Sequence, residues 1–442
     1  MLSFSSMVTF KLPLFSNYTF FFLLSLSLLS LCSAEVLPTT LYLPVSKDSS
    51  TLQYITVIGQ RTPLISVKLT VHLGGISLWV DCDRGYNSST YQPARCNSTL
   101  CSFARSHSCG DCLFKPQLQP GCNNNTCYNW GENPLINTYM DRAEIAEDVL
   151  AIGSTPGILV TWPRFIFSCV DSTLSKDLAQ GVTGIAGFGH QSPVSIPNQL
   201  ALDPRFARKF GICLSSSTSS RGVIFIGSGP YNFYNPKKVD ISNNLVYTKL
   251  ITNPRAFLQS SEYHIEVSSI RIAGKDVALN KTLLSINKRN GVGGTRISTT
   301  TPFTILDNSI YNAVKTAFLM ALPKNVTIVE PPMKQFGACF SSKNIRSTNV
   351  GPDVPVIDFV LHKRSAYWRI YGANSMVQVT KDVMCLAFVG EDQTWEPSIV
   401  IGGHQMEENL LVFDLARRRI GFSSSLKLQK TSCANYDYTS KT

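Results

Sequence analysis

Charge is scarce in this chain. Only 16% of its 442 residues are Asp, Glu, Lys or Arg. No like-charged block is longer than Arg417-Arg418-Arg419, which argues against a nucleic-acid surface built on clustered basic side chains. Long helical periodicity is equally short: the best stretch is 309–322, with a turn or two at 196–202. With 23 Pro and 28 Gly spread along the chain, a coiled coil is excluded. After residue 34 no apolar run is long enough to cross a bilayer. Disorder as the main state is excluded too, because 44% of the residues are hydrophobic.

What is present is a secretory pattern. Lys11 is the only charge in the first 34 residues, 18–32 is an apolar run broken only by Thr and Ser, and Cys32-Ser33-Ala34 supplies small residues for cleavage. Residues 1–34 are read as a signal peptide, since the run is short and no stop-transfer pattern follows. Removing Cys32 leaves twelve cysteines, an even number suited to disulfides in an oxidising compartment. They are Cys82, Cys96, Cys101, Cys109, Cys112, Cys122, Cys127, Cys169, Cys213, Cys339, Cys385 and Cys433. Sequons at Asn87, Asn97, Asn124, Asn280 and Asn325 make N-glycosylation the expectation. Forty basic against 29 acidic residues favour an acidic polysaccharide or protein as partner.

Strand signals dominate the rest. Segments 54–57, 64–71, 78–80, 222–227 and 399–401 are short, β-branched and bounded by Gly or Pro. An all-β fold follows. Two halves of similar size meet near 231–239, each with a late Ile/Gly element, Gly184-Ile185-Ala186-Gly187 and Ile399-Val400-Ile401-Gly402. A weak internal duplication is read from them. Six cysteines crowd into 96–127, a segment too poor in core residues to hold without cross-links.

Two segments then point to a family. Gly74-Gly75 followed by Ser77-Leu78-Trp79-Val80, and the closing stretch 398–422 with Val412-Phe413-Asp414 and Ile420-Gly421-Phe422, resemble the pepsin-like aspartic peptidases. Within that fold the chain is similar to a plant extracellular subgroup: the xylanase inhibitors, the xyloglucan-endoglucanase inhibitors, the dermal glycoproteins and the basic seven-S globulins. Asp81-Cys82-Asp83, Ser88-Ser89-Thr90-Tyr91, Ala146-Glu147-Asp148-Val149 and 371–377 carry that likeness. It implies a bilobal β-fold with a cleft between lobes, here 35–235 with the 96–127 insertion and 236–442. It also implies secretion to the apoplast and action by binding in plant defence. Cys339 with Cys385 is the pairing the likeness implies; Cys82 with Cys169 and Cys213 with Cys433 are further expectations. Pairing within 96–127 stays open.

The peptidase chemistry needs two carboxylates about 3 Å apart sharing a proton, one as base and one as acid. By alignment with those enzymes, His72 stands at the first carboxylate position and Ser298 at the second, with Thr300 in place of a Gly. Asp81 and Asp83 lie nine and eleven residues beyond His72, roughly 30 Å along an extended strand, and Asp307 is as remote from Ser298. No catalytic residue is therefore assigned. His72 with Ser298 as a base–nucleophile pair lacks an orienting acid and an oxyanion hole, and 137–141 lacks the flap-tip glycines of active relatives, leaving Tyr139 as a turn aromatic. Cys109 and Cys112 beside His107 look like a zinc knuckle, but even counting and secretion favour disulfides; no metal or cofactor is expected.

In the inhibitor relatives, loops at 390–397 and 347–352 reach a glycosidase active site, where a basic side chain suits paired carboxylates. Here the candidate contacts are Trp395, Glu396, Asn349 and Arg346, with an acidic bias in the first loop. The leading expectation is an inhibitor of a secreted xylanase or endoglucanase. The alternatives are a storage, wall-attached or signalling binding protein, and, remotely, an active aspartic endopeptidase.

Overall fold

The strand Gly222–Gly227 is buried at every position, so it must have neighbours on both faces and both edges. It pairs with Thr40–Lys47 on one side and Lys209–Cys213 on the other. The latter pairs with Leu410–Asp414, which turns into Arg419–Phe422, which pairs with Val246–Ile251. This run of six antiparallel strands carries the first half of the chain into the second, with Phe210 stacked on Phe413 at 4.6 Å where they meet. Cys213–Cys433 closes the same seam. The computed structural model describes residues 38, 40–113, 115, 117–155, 157–235, 237–254, 261–392, 397–436 and 438, all within one compact unit. The signal segment 1–34 and the candidates Trp395 and Glu396 lie outside the described residues.

The duplication read from the two Ile/Gly elements has a structural counterpart. In the first half, Ile65–His72 runs parallel to Gly184–Gly187, which is antiparallel to Trp79–Asp81, which is parallel to Ile158–Val170. In the second half, Thr295–Ile297 runs parallel to Ile399–Ile401, which is antiparallel to Thr304–Asp307, which is parallel to Phe388–Glu391. The same four-strand order is built twice. Parallel neighbours need long crossovers, and both halves supply them.

Helices are few and short. The longest, Asn308–Ala321, starts at Asp307, whose carboxylate accepts the Ser309 N–H at 2.9 Å. It buries Ile310, Val314 and Phe318 at four-residue spacing. Pro323 follows its end. The turn or two expected at 196–202 is the helix Ile196–Leu200.

Six disulfides form. Cys82–Cys169, Cys213–Cys433 and Cys339–Cys385 agree with expectation. The open segment resolves into Cys96–Cys109, Cys101–Cys127 and Cys112–Cys122. A knuckle zinc is thereby disfavoured: Cys109 and Cys112 have their sulfurs in disulfides with Cys96 and Cys122, and His107 stacks on Trp130 at 4.6 Å. Two buried carboxylates anchor this region to the long strand Thr138–Ser154. Asp148 accepts from Tyr86, Ser88 and Thr90 of the loop just before that region at 2.6–3.0 Å, so side-chain hydrogen bonds join two of the family-like motifs, one in a loop and one in the strand. Glu144 accepts the Gly121 and Asn123 amides at 2.8 and 3.0 Å.

Replacing Cys213 and Cys433 together with Ala is expected to cost about 2–5 kcal/mol of stability, because the bond closes a loop of 220 residues. The same change at Cys112 and Cys122, which span ten residues, should cost less. Urea midpoints of the two double variants give the order, and the reverse order refutes the loop-entropy account.

Candidate functional site

The two repeated strand sets end at one place. His72 closes the first inner strand opposite Gly187, and Ser298 follows the second, its amide bonded to the Ile401 carbonyl at 2.9 Å. Between them stands Thr299. Its hydroxyl donates to the Val71 carbonyl at 2.7 Å and accepts the Leu73 amide at 3.2 Å. One hydroxyl therefore ties the second half to the first where the two inner strands finish. Leu73, the counterpart of Thr299, has no hydroxyl to return the bond.

The side chains at the two positions have other engagements. Ser298 Oγ lies 3.1 Å from Thr300 Oγ1 and accepts from Thr301 Oγ1 at 3.1 Å. His72 is buried, and its Nδ1 has no hydrogen-bond partner among the described residues. Its Nε2 is 3.7 Å from Glu132 Oε1, too long for a hydrogen bond. Burial, and then the charge of Arg296, push the imidazole down to about 3. Burial pushes Glu132 up to about 8, with the Glu262 charge adding and the Ile76 amide, bonded at 3.0 Å, opposing. Between those values both groups are neutral, so their proximity is a contact rather than an ion pair. Ser298 Oγ is engaged by its own threonines and makes no hydrogen bond to His72 among the described residues, so the pair lacks the contact that activates a nucleophile.

Glu132, Glu262 and Arg296 were not singled out by the sequence. Glu132 sits on Thr126–Asn133, opposite Tyr139 in the adjoining strand, and its carbonyl accepts the Trp79 indole N–H at 2.8 Å. The Glu262 carboxylate occupies the space a Cβ on Gly74 would need, and Arg296 lies 3.7 Å from it. The only prior signal was an acidic residue in an otherwise uncharged strand. The hairpin turn falls at 134–137, so Tyr139 is an exposed strand residue and not, as expected, a turn aromatic; the turn closes earlier because Asn133 Oδ1 caps the Leu135 amide.

The other acids considered have local duties. Asp81 is buried, 3.3 Å from Arg84, and accepts from Ser175. Asp83 pairs with Lys115, and Asp307 caps its helix. Arg417 and Arg419 are not idle turn charges: both hold Asp414, at 3.2 and 3.1 Å. Of the loop candidates, Arg346 pairs with Asp353 at 2.8 Å across the base of a small hairpin, Ser347–Thr348 with Gly351–Pro352. Asn349 is exposed at its tip. All five sequon asparagines are exposed.

Two lobes' worth of repeated strands meeting at a tied centre define the pepsin-like aspartic-peptidase fold, with His72 and Ser298 at the centre. Residues 54–228 match the family model described as Xylanase inhibitor N-terminal, and 262–424 the one described as Xylanase inhibitor C-terminal. The chain belongs to this xylanase-inhibitor-like family. It is 50% identical to "Probable aspartic proteinase GIP2" of Nicotiana benthamiana, covering 91% of this chain and 93% of that one. It is 42% identical to "Gamma conglutin 1" of Prunus dulcis, with 96% of each covered. Among solved structures, that of edgp superposes with a TM-score of 0.86 at 49% identity, covering 90% of this chain and 98% of the other.

Two measurements check the centre. Thr299→Val is expected to destabilise by about 1–3 kcal/mol, since it strands a buried amide and carbonyl, read as a lower urea midpoint with unchanged slope. Glu132 holds a proton between about 4.5 and 8 that the unfolded chain releases, so its contribution to stability declines as pH rises through that window. His72 works the other way, losing stability as pH falls from about 6.5 to 3. Glu132→Gln should therefore match the parent near pH 4 and exceed it by a few °C at pH 8.5 in thermal melts. A difference that does not change with pH refutes the assignment.

Proposed function

We propose that this chain is a secreted, glycosylated binding protein without peptidase activity, and that its target is a cell-wall-degrading glycoside hydrolase of xylanase or endoglucanase type. The carrying observation is the centre itself. Where an aspartic peptidase requires two facing carboxylates, the aligned positions are His72 and Ser298, and of the two acids near them Glu132 faces a histidine while Glu262 lies beside Arg296. Loss of linked catalytic groups removes on the order of 10⁶ in rate. A rigid scaffold with presented loops needs no chemistry of its own to block another enzyme's cleft.

The family description supports the hydrolase as target, and the secretory leader, six disulfides and five exposed sequons support an extracellular, apoplastic location and a defence role. On this reading 1–34 is removed, 35–235 and 236–442 are the lobes, and the 347–352 hairpin with Asn349 and Arg346 is one contact, the 390–397 loop with Trp395 and Glu396 the other. Arg346 is already compensated by Asp353, and Glu391 and Asp392 are acidic, which favours a target whose rim differs from a purely carboxylate-lined cleft. A storage or wall-binding role is the second reading, supported by the names of the conglutin relatives and by the net charge of +11.

Titrating the secreted protein against purified microbial xylanases and endoglucanases is expected to abolish the activity of at least one stoichiometrically. No acid peptidase activity on denatured protein should be detected. Full hydrolase activity across the panel, well above micromolar inhibitor, overturns the target and leaves the second reading.

A further inference from the structure

Away from the peptidase-like centre, three guanidinium groups line one cavity. It has a volume of about 380 Å³, within the range of small-molecule sites. Arg105 and Arg208 come from the first half of the chain and Arg418 from the last hairpin, while Leu250 and Leu415 form an apolar wall. Among the described residues no carboxylate lines it. His190, also in the lining, is pushed down to about 4 by burial and by Arg418 and Arg208. It is neutral at ordinary pH and leaves the positive charge to the arginines.

The arginines are held in place from behind. Arg208 Nε donates to Asn198 Oδ1 at 2.7 Å, and its Nη2 to the His190 carbonyl at 3.1 Å. Asn198 is itself fixed by donating to the Gly189, His190 and Ser192 carbonyls. Arg418 Nη2 donates to Thr252 Oγ1 at 2.9 Å. Each of these two has five N–H groups, and these anchors use only one or two of them. Guanidinium groups so fixed are pre-organised for a carboxylate, which they grip as a fork.

A second compartment of about 250 Å³ shares Arg105 and Gln191 with the first. Its walls mix apolar surface, from Ile76, Pro193 and Trp130, with the hydrogen-bonding side chains of Asn129, Ser192 and Ser261. A bare inorganic anion would use the arginines and waste both apolar walls. A ring with a carboxylate on one edge, hydroxyls around it and a C–H face uses all of them.

The geometry points to a binding site for an anionic sugar, a uronic acid or a short oligomer of it, whose carboxylate meets Arg208 and Arg418 and whose neighbouring ring lies in the adjoining compartment. This stands apart from the hydrolase reading, because the lining comes from other segments than the 347–352 hairpin.

Calorimetric titration of the full glycosylated protein with trigalacturonate, neutral galactotriose and sulfate tests it. Saturable one-to-one binding of trigalacturonate is expected, with no heat from the neutral sugar. Arg208→Ala and Arg418→Ala should each weaken it at least about tenfold, while the charge-matched Lys324→Ala leaves it unchanged. Arg208→Lys keeps the charge and loses the fork, so it should bind more weakly than the parent even if Arg208→Ala fails to fold. Hydrolase inhibition by the Arg418 variant is expected to be unaffected, so the two readings fail separately. Sulfate binding as tight as trigalacturonate, an equal loss in Lys324→Ala, or no binding at all overturns the proposal.

Discussion

The Thr299 hydroxyl, giving its proton to Val71 and taking that of Leu73, is the bond around which the rest of the molecule is arranged. It lies where two copies of the same four-strand set finish their inner strands, and it fixes their separation. A fold built this way delivers two backbone positions to one point whatever side chains occupy them. Here those positions hold His72 and Ser298, and one threonine supplies the tie between the halves.

Burial decides the chemistry of that point. A peptidase centre works because two acids share a proton in a partly wet cleft. Here the imidazole is dry enough to stay neutral through the acid range, and the nearest acid is dry enough to keep its proton to mild alkalinity. The Ser298 hydroxyl is turned to its own threonines. Charge persists beside the centre in the Glu262 and Arg296 pair, and gathers elsewhere at the Arg208 and Arg418 cavity and the Asp414 clamp.

The disulfide-rich insertion illustrates a different dependence. With few core residues of its own, 96–127 is held by three bonds inside it and by Glu144, which reaches out of the long central strand to cap its backbone amides. Asp148 holds the loop at 86–90 differently, by accepting from the hydroxyls of Tyr86, Ser88 and Thr90. Both carboxylates work because they are buried with their donors and not merely near them.

Much of this was legible in one sequence. The β-branched runs at 222–227 and 399–401 became strands with the expected bounds, the helix read at 309–322 followed from its apolar periodicity, and even cysteine counting foretold a fully bonded set. His72 and Ser298 were read from motifs with fixed offsets within a strand and its turn, and the structure sets them at corresponding ends of the two repeated strand sets. What only the tertiary structure decided was contact between segments far apart in the chain. Glu132 meets His72 across sixty residues, Glu262 fills the hollow at Gly74, and Arg105, Arg208 and Arg418 converge from three separate loops. Local sequence sets φ, ψ and which face is apolar, and those are short-range properties. The partners of a charged side chain, and hence its protonation, are set by which loops the folded sheets bring together, and no local pattern encodes that.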